Sequence, residues 1–217
     1  MADIDAVIAS KPKRRRWWFL VIGVAAVAAI VLGVLGATGA FTRTDAPKDL
    51  RGNPVQYDPD ATPNPRASAV PSGHGRFVAK SVNLNVPLGA LDATDGVVTP
   101  PGFTSAYLIR NYGVDPSRAG LGAVYVVMHS LRNGAIGPGN ALIDVDKERA
   151  KIRKGATITV DDVTYTVTGT EAVTKTQLPS SKIWSAGRNQ LVVITCLQRP
   201  QGGPSIDNIV ITATRST

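Results

Sequence analysis

Short apolar runs, separated by Gly, Pro and polar residues, fill the chain from residue 76 onward. Some alternate with polar residues at period two, as in a strand with one buried face, and others are continuous, as in a strand buried on both faces. Two of the runs flank Asp161-Asp162, which predicts a hairpin. The pattern predicts strands at residues 81–86, 123–128, 156–160, 163–167, 191–196 and 209–213.

Helical patterns are few in this part of the chain. Residues 146–152 and the segment around residues 180–184 are each long enough for one or two turns. The roughly 140 residues of 76–217 suffice for one domain with one core. Because closing a sheet removes its exposed edges, we predict a mainly β fold, a closed or nearly closed barrel with short helices.

The N-terminus has a different pattern. A basic block within residues 1–16 directly precedes Trp17-Trp18, and no charged residue follows up to Phe41. About 20 apolar residues span a bilayer as a helix, and basic residues stay on the cytoplasmic side. We therefore predict a cytoplasmic segment at residues 1–16, a transmembrane anchor at 17–41 and an extracellular remainder. The alternative is a cleaved signal peptide, but the apolar run exceeds the ~7–15 residues of its core and no clean Ala-x-Ala site follows.

Proline and polar residues dominate residues 42–75, where scarcely any apolar run occurs. Such a composition buries too little surface to offset the entropy of ordering, and proline keeps the chain extended. We predict an extracellular stalk over residues 42–75, followed by a folded domain over residues 76–217. His74 then lies in the stalk or at its junction, as a solvated loop histidine.

The formal net charge is +8. The basic residues of the first sixteen positions set membrane topology, and the others are scattered among acids without a basic stripe. We therefore expect no nucleic-acid partner. A surface attracted to anionic lipid headgroups or wall polymers, and a merely solvated surface, both stay open.

Cys196 is the only cysteine of the chain and ends an apolar, β-branched run. An odd cysteine in an exported protein pairs between chains, fills a core or reacts. His129 follows the apolar run 123–128, so both residues are expected at strand ends, where loops meet. A thiolate nucleophile needs a base or cationic neighbours, and this histidine is a candidate base. With no HExxH or CxxC pattern, we expect no metal or other cofactor.

Arg199 follows Cys196 by three residues. A fixed guanidinium can donate hydrogen bonds to the negative charge that develops on oxygen in acyl transfer. The alternative is an exposed arginine in a loop rich in Gly and Pro.

The run Leu191-Val192-Val193-Ile194-Thr195-Cys196 resembles the sortase signature, a strand that ends in Thr-x-Thr-Cys or a close variant. His129 precedes the cysteine, as in sortases, and the predicted anchor, stalk and strand-rich domain match the sortase layout. Arg199 and the segment 202–211 are most similar to class F sortases of Gram-positive bacteria, with class E as neighbour. The resemblance covers about residues 76–215.

This resemblance implies a cysteine transpeptidase on a sortase-type β-barrel, acting outside the cell membrane as a monomer. Cys196 would attack the Thr-Gly bond of an LPxTG-like sorting signal, and His129 would protonate the leaving amine. Arg199 would stabilise the oxyanion, and a cell-wall precursor amine would accept the acyl group.

The sequence departs from the sortase pattern at two positions. Met128 stands where many sortases have glycine before the histidine, and residues 205–208 lack the arginine that commonly begins the last strand. The resemblance therefore leaves Arg199 as the nearest candidate for the catalytic arginine and Arg215 as the next.

Other classes of exported protein also fit parts of the sequence. An L,D-transpeptidase would have a His-Gly-x-x-x-Cys-like block, which is missing, and papain-like or NlpC-type hydrolases place cysteine before histidine. A non-enzymatic wall-binding module, with Cys196 in its core, is the remaining alternative.

Overall fold

A computed structural model describes residues 46–57, 61–73 and 75–216. Strands account for most of the regular structure in these residues. In chain order they are β1 (Arg76–Ala79), β2 (Leu84–Leu91), β3 (Ala106–Ile109), β4 (Val124–Met128), β5 (Ile143–Asp144), β6 (Arg149–Ala150), β7 (Thr157–Val160), β8 (Val163–Thr174), β9 (Gln190–Leu197) and β10 (Asp207–Arg215).

Eight of these strands close into a barrel in the order β1-β2-β3-β4-β9-β10-β8-β7, and β7 pairs back with β1. The pairs β2–β3 and β4–β9 are parallel, while the other barrel pairs are antiparallel. Strands β5 and β6 form a separate two-stranded sheet. The predicted mainly β, closed barrel is confirmed.

Alternating apolar residues of β9 and β10 fill the barrel interior. Leu191, Val193 and Leu197 of β9 are buried there, as are Ile209 and Ile211 of β10. Because successive side chains of a strand point to opposite faces, the residues between them face outward. The spacing of apolar residues in the sequence therefore fixes which side chains can reach the outer surface.

The outward-facing residues of β4, β9 and β10 form a second apolar cluster. Tyr125, Val192, Ile194 and Val210 belong to it, and Ile183 covers it from the segment between β8 and β9. The Tyr125 hydroxyl donates to the Ile183 carbonyl over 2.8 Å, which holds this segment against the barrel. The outer face of the three strands is thus partly buried.

The helices of the described residues are short 3-10 turns. The prediction of helical turns around residues 180–184 is confirmed, but the helix predicted at residues 146–152 is wrong. There, Asp144 accepts hydrogen bonds from the backbone N–H and the Nζ of Lys147, which closes a turn between β5 and β6. The 3-10 helices are Pro65–Ala67, Lys80–Val82, Pro116–Leu121, Pro138–Leu142, Leu178–Ser180 and Lys182–Ser185.

The strand predicted at residues 81–86 begins later than expected. Residues Lys80–Val82 form a 3-10 helix, and Asn83 ends it in the left-handed region with φ of 55°. Asparagine tolerates this backbone conformation better than most residues, so the alternation in the sequence concealed a turn. The strand β2 then starts at Leu84.

The segments predicted at residues 1–16 and 17–41, together with His74, lie outside the described residues. In 46–57, 61–73 and 75–216, no helix is both long and apolar enough to cross a membrane.

Candidate active site

Cys196 lies on the outer face of the barrel, near the end of β9. Its neighbour Leu197 is buried in the barrel interior, so strand alternation turns the cysteine side chain outward, on the same face as Ile194. Cys196 is a free thiol and is only partly buried. The site therefore begins where the outer apolar cluster ends and solvent can reach the strand.

His129 lies beside Cys196 because β4 and β9 are parallel neighbours. In their register Met128 is paired with Thr195, and the histidine follows as the first residue after β4. Met128 is buried in the barrel interior, so alternation turns His129 outward. The structure thus brings together the two residues that the sequence predicted for catalysis.

Both side chains line one cleft of about 1150 Å³. Its wall combines apolar and polar groups, as ligand sites commonly do. The apolar members include Val98, Ile109, Tyr112, Trp184 and Ile194.

Hydrogen bonds between side chains and backbone hold the two strand ends together. Ser130 Oγ donates to the carbonyl of Cys196, and Gln198 Nε2 donates to both the carbonyl and the Oγ of Ser130 over 2.9 Å. In the last residue pair of β4 and β9, Thr195 Oγ1 donates to the Met128 carbonyl, also over 2.9 Å. These bonds fix the segment that carries His129 relative to the one that carries Cys196.

A close backbone approach positions the loop after His129. The Gly139 N–H donates to the His129 carbonyl over 2.8 Å. A Cβ at Gly139 would lie 1.9 Å from Thr195 Oγ1 and 2.9 Å from the His129 oxygen. Only glycine fits this position without displacing the backbone of the site.

The His129 ring is held by a carbonyl and by two aromatic rings. Its Nε2 lies 3.1 Å from the Pro100 carbonyl oxygen. Because a carbonyl can only accept, Nε2 carries the proton in this contact. The Phe103 ring centroid is 4.9 Å from that of His129, and the Tyr57 centroid is 6.4 Å away.

Part of the segment predicted as a stalk packs against the barrel and reaches the cleft. Asp49 is only 2% exposed, and its carboxylate accepts hydrogen bonds from the N–H groups of Arg51, Asn53 and Ile136. Burial raises the pKa of Asp49, but these hydrogen bonds outweigh burial and bring the pKa below its ordinary value. The domain boundary at residue 75 stays a prediction.

Tyr57 belongs to the same segment and forms part of the cleft wall. Its ring contacts Phe103 with a centroid distance of 4.6 Å. Burial raises the pKa of Tyr57, so the phenol stays neutral at physiological pH. The segment before β1 thus contributes an uncharged aromatic wall beside the candidate base.

The structure does not bring Arg199 or Arg215 to the cleft. Arg199 is exposed in the loop between β9 and β10, where its guanidinium lies beside Gly203. Arg215 is paired with Tyr165 at the end of β10 that is distant from Cys196. The oxyanion role of Arg199 stays a prediction.

Several polar residues of the cleft were not singled out as site residues from the sequence. Arg132 follows His129 by three residues and lines the cleft, as do Gln198 and Asn208. The only sequence signal for Arg132 is its closeness to the histidine. For Asn208 the signal is its place at the start of the last strand, where an arginine was expected.

Similarity to solved structures shows the fold. The chain is similar to a single-substitution variant of sortase C-1 from Streptococcus pneumoniae, with a TM-score of 0.52 and 11% identity over 74% of this chain and 77% of that one. Sortase A of Listeria monocytogenes matches with 20% identity and a TM-score of 0.48, over 66% of this chain and 86% of that one. No protein-family model and no curated protein matches the sequence. The chain has the sortase fold, as the sequence resemblance implied.

Proposed function

We propose that this protein is a sortase-like cysteine transpeptidase. It cleaves an LPxTG-like sorting signal of a secreted protein through a thioacyl intermediate and transfers the protein to a cell-wall amine. The segment 17–41 anchors it in the cell membrane, with the catalytic domain outside. The resemblance of its C-terminal segment supports class F, with class E as neighbour.

One observation carries the proposal: Cys196 and His129 line the same cleft of a sortase-fold barrel. Cys196 is the only cysteine of the chain, and His129 directly follows β4, the parallel neighbour of β9. A nucleophile and a base from separate elements that meet in a concave, partly apolar site are what acyl transfer requires. The hydrogen bonds through Ser130 support this reading, because they hold the two segments in one arrangement.

The proposed reaction has two stages, acylation of Cys196 and transfer of the acyl group to an amine. The Cys196 thiolate attacks the carbonyl carbon of the scissile amide, an S–C bond forms, and the carbonyl π electrons move to oxygen. When the carbonyl re-forms, the C–N bond breaks and protonated His129 gives its proton to the leaving amine. The acceptor amine then attacks the thioester, His129 takes its proton, and the C–S bond breaks to restore the thiolate.

The cleft suits the substrate class. The apolar side chains of Ile109, Trp184 and Ile194 offer contacts for the leucine and proline of a sorting signal. Because donor and lipid-linked acceptor are both held at a membrane, an anchored enzyme meets them at a raised effective concentration.

The test uses the full chain in detergent micelles, incubated with a panel of LPxTG-type peptides and with diglycine as amine. Mass spectrometry is expected to show cleavage, a peptide–diglycine product and a Cys196 acyl adduct. Product formed equally well by Cys196→Ala, or a complete lack of adduct with every peptide, would refute the proposal. Free acid without any amine product would indicate a hydrolase instead.

A further inference from the structure

Asn208 lies directly opposite Cys196. The two residues form a pair in the antiparallel ladder of β9 and β10. Directly opposed residues of such a ladder project from the same face of the sheet, with Cβ atoms about 4.5–5.5 Å apart. Asn208 is 6% exposed and lines the same cleft as the thiol. It is the first cleft-facing side chain of the last strand.

The amide of Asn208 has no hydrogen-bond partner among the residues that the structure describes. In the other amide near the thiol, that of Gln198, Nε2 donates to Ser130, whereas Oε1 is buried and has no partner among the described residues. The Asn208 amide is not one of the buried polar atoms that lack a partner, so water in the cleft can reach it, and a ligand that displaces this water can accept its hydrogen bond. A carbonyl attacked by Cys196 would lie beside this position, because the two residues are paired and line one cleft.

We infer that the side-chain N–H of Asn208 donates the hydrogen bond that stabilises the oxyanion at Cys196. The inference rests on the proposed acyl-transfer function and adds a catalytic residue to it. When the thiolate adds to the carbonyl carbon, the negative charge on oxygen develops on the cleft side of β9, where this amide lies. When the C–N bond breaks, the charge returns to the carbonyl π bond and the hydrogen bond weakens.

A neutral amide is sufficient for this role. An oxyanion requires donors that are already in place, and a single side-chain amide donor contributes about 10²–10³ in turnover in acyl transfer. Asn208 is held in position by its backbone pairing with β9 and by the pairing of Ile209 with Thr195 next to it. Arg199, by contrast, is exposed in the loop that joins the two strands.

Two reactions of the same thiol separate an oxyanion donor from a structural residue. Acylation by a sorting-signal peptide passes through an oxyanion, whereas alkylation by iodoacetamide displaces iodide at carbon and forms none. Asn208→Ala in the full chain is expected to lower kcat for acylation about 10²–10³-fold, with KM changed little, and to leave the alkylation rate within about twofold. Asn208→Leu fills the same space without a donor and gives the same result. Asn208→Gln keeps an amide and recovers part of the rate.

The matched control is Gln190→Ala, which removes an exposed amide at the opposite end of the same strand pair. Both of its rates are expected to equal those of the unsubstituted protein. Equal losses of acylation and alkylation in Asn208→Ala and Asn208→Leu would make the residue structural and overturn the inference. Unchanged acylation in both would do the same.

The variants Arg132→Ala and Arg199→Ala test whether a guanidinium group, and not Asn208, stabilises the oxyanion. A selective loss of acylation in either of them, without such a loss in Asn208→Ala, would assign the oxyanion to that guanidinium and overturn the inference. If the unsubstituted protein forms an adduct with none of the peptides, the proposed function fails and the inference fails with it. If it turns over normally and only the Asn208 result is negative, the proposed function stands without this residue.

Discussion

The two ends of the β9–β10 ladder have the same backbone pairing but very different surroundings. Near one end Cys196 is opposite Asn208, and at the other end Gln190 is opposite Thr214. The first pair is partly or fully buried in a cleft, while the second is exposed to solvent. The surroundings of a residue on this ladder therefore depend on the strand end at which it lies and not on the strand itself.

The loops explain the difference between the two ends. Near Cys196, the side chains of Ser130 and Gln198 bond the loop after β4 to the end of β9. Near Gln190, the backbone of Asn189 bonds to Ala119 and Arg215, and Gln190 Oε1 accepts a hydrogen bond from the Gly187 N–H of the same loop. The side-chain bonds near Cys196 join two different strand ends and hold His129 beside the thiol, whereas the side-chain bond near Gln190 lies within one loop.

The largest effect is expected when the thiol is removed or moved along the ladder. Cys196→Ala should abolish turnover and leave the fold intact, because this is the only thiol of the chain. The double variant Cys196→Ala/Gln190→Cys restores a thiol at the exposed end and should remain inactive. Peptide cleavage by mass spectrometry and circular dichroism check both. Turnover by the double variant would show that the surroundings of the thiol do not matter.

The next largest effect concerns the group that the loop places beside Cys196. If His129 is the acid and base, His129→Ala should lower turnover by roughly 10²-fold or more, the usual scale for positioned proton transfer. His74→Ala is the matched control, since it removes the only other histidine and should leave turnover unchanged. Steady-state kinetics with one peptide measures both, and equal losses would remove the distinction between the two histidines.

Gly139→Ala disturbs the close approach of the loop to β9. The new Cβ would overlap Thr195 Oγ1 and the His129 carbonyl, so we expect a loss of about 1–3 kcal/mol in the free energy of unfolding. Acylation and alkylation of Cys196 should fall together. Gly120→Ala is the control, because nothing lies within 4 Å of its Cβ position. Equal unfolding curves for the two variants would mean that the contact at Gly139 is relaxed in solution.

A smaller effect is expected at the aromatic wall of the cleft. Tyr57→Ala removes a ring that packs on Phe103 and faces His129. Opening the wall should raise the iodoacetamide rate of Cys196 by about twofold to tenfold. This factor corresponds to the free energy of one aromatic pair, about 0.5–1.5 kcal/mol, which no longer has to be overcome to open the cleft. Tyr57→Phe keeps the ring and should leave the rate unchanged. A lower rate in Tyr57→Ala would show that the ring promotes reaction instead of restricting access.

The smallest effect is a pH dependence of the segment before β1. The folded-state pKa of Asp49 lies below its ordinary value of 3.8. The hydrogen bonds to its carboxylate therefore stabilise the segment above that value, and the stabilisation is lost as the pH falls through the lowered folded-state pKa. Hydrogen exchange of residues 46–57 should accelerate over this acidic range beyond the intrinsic change. Asp49→Asn should show faster exchange already at neutral pH.

Much of the barrel was predictable because strand patterning is local. The apolar runs around Val126 and Val193 predicted β4 and β9 closely, and the hairpin at Asp161-Asp162 forms between β7 and β8 as expected. The errors arose where a local side-chain bond or a left-handed residue overrides the pattern, as at Asp144 and Asn83.

The sequence by itself determined that Cys196 and His129 lie at the ends of two apolar strands. Strand periodicity and the apolar runs are sufficient for that. Only the tertiary structure decided that β4 and β9 are parallel neighbours, that Asn208 rather than Arg199 stands opposite the thiol, and that Tyr57 lines the cleft. The physical reason is that side-chain alternation acts over a few residues, whereas the pairing of distant strands depends on the closure of the whole barrel.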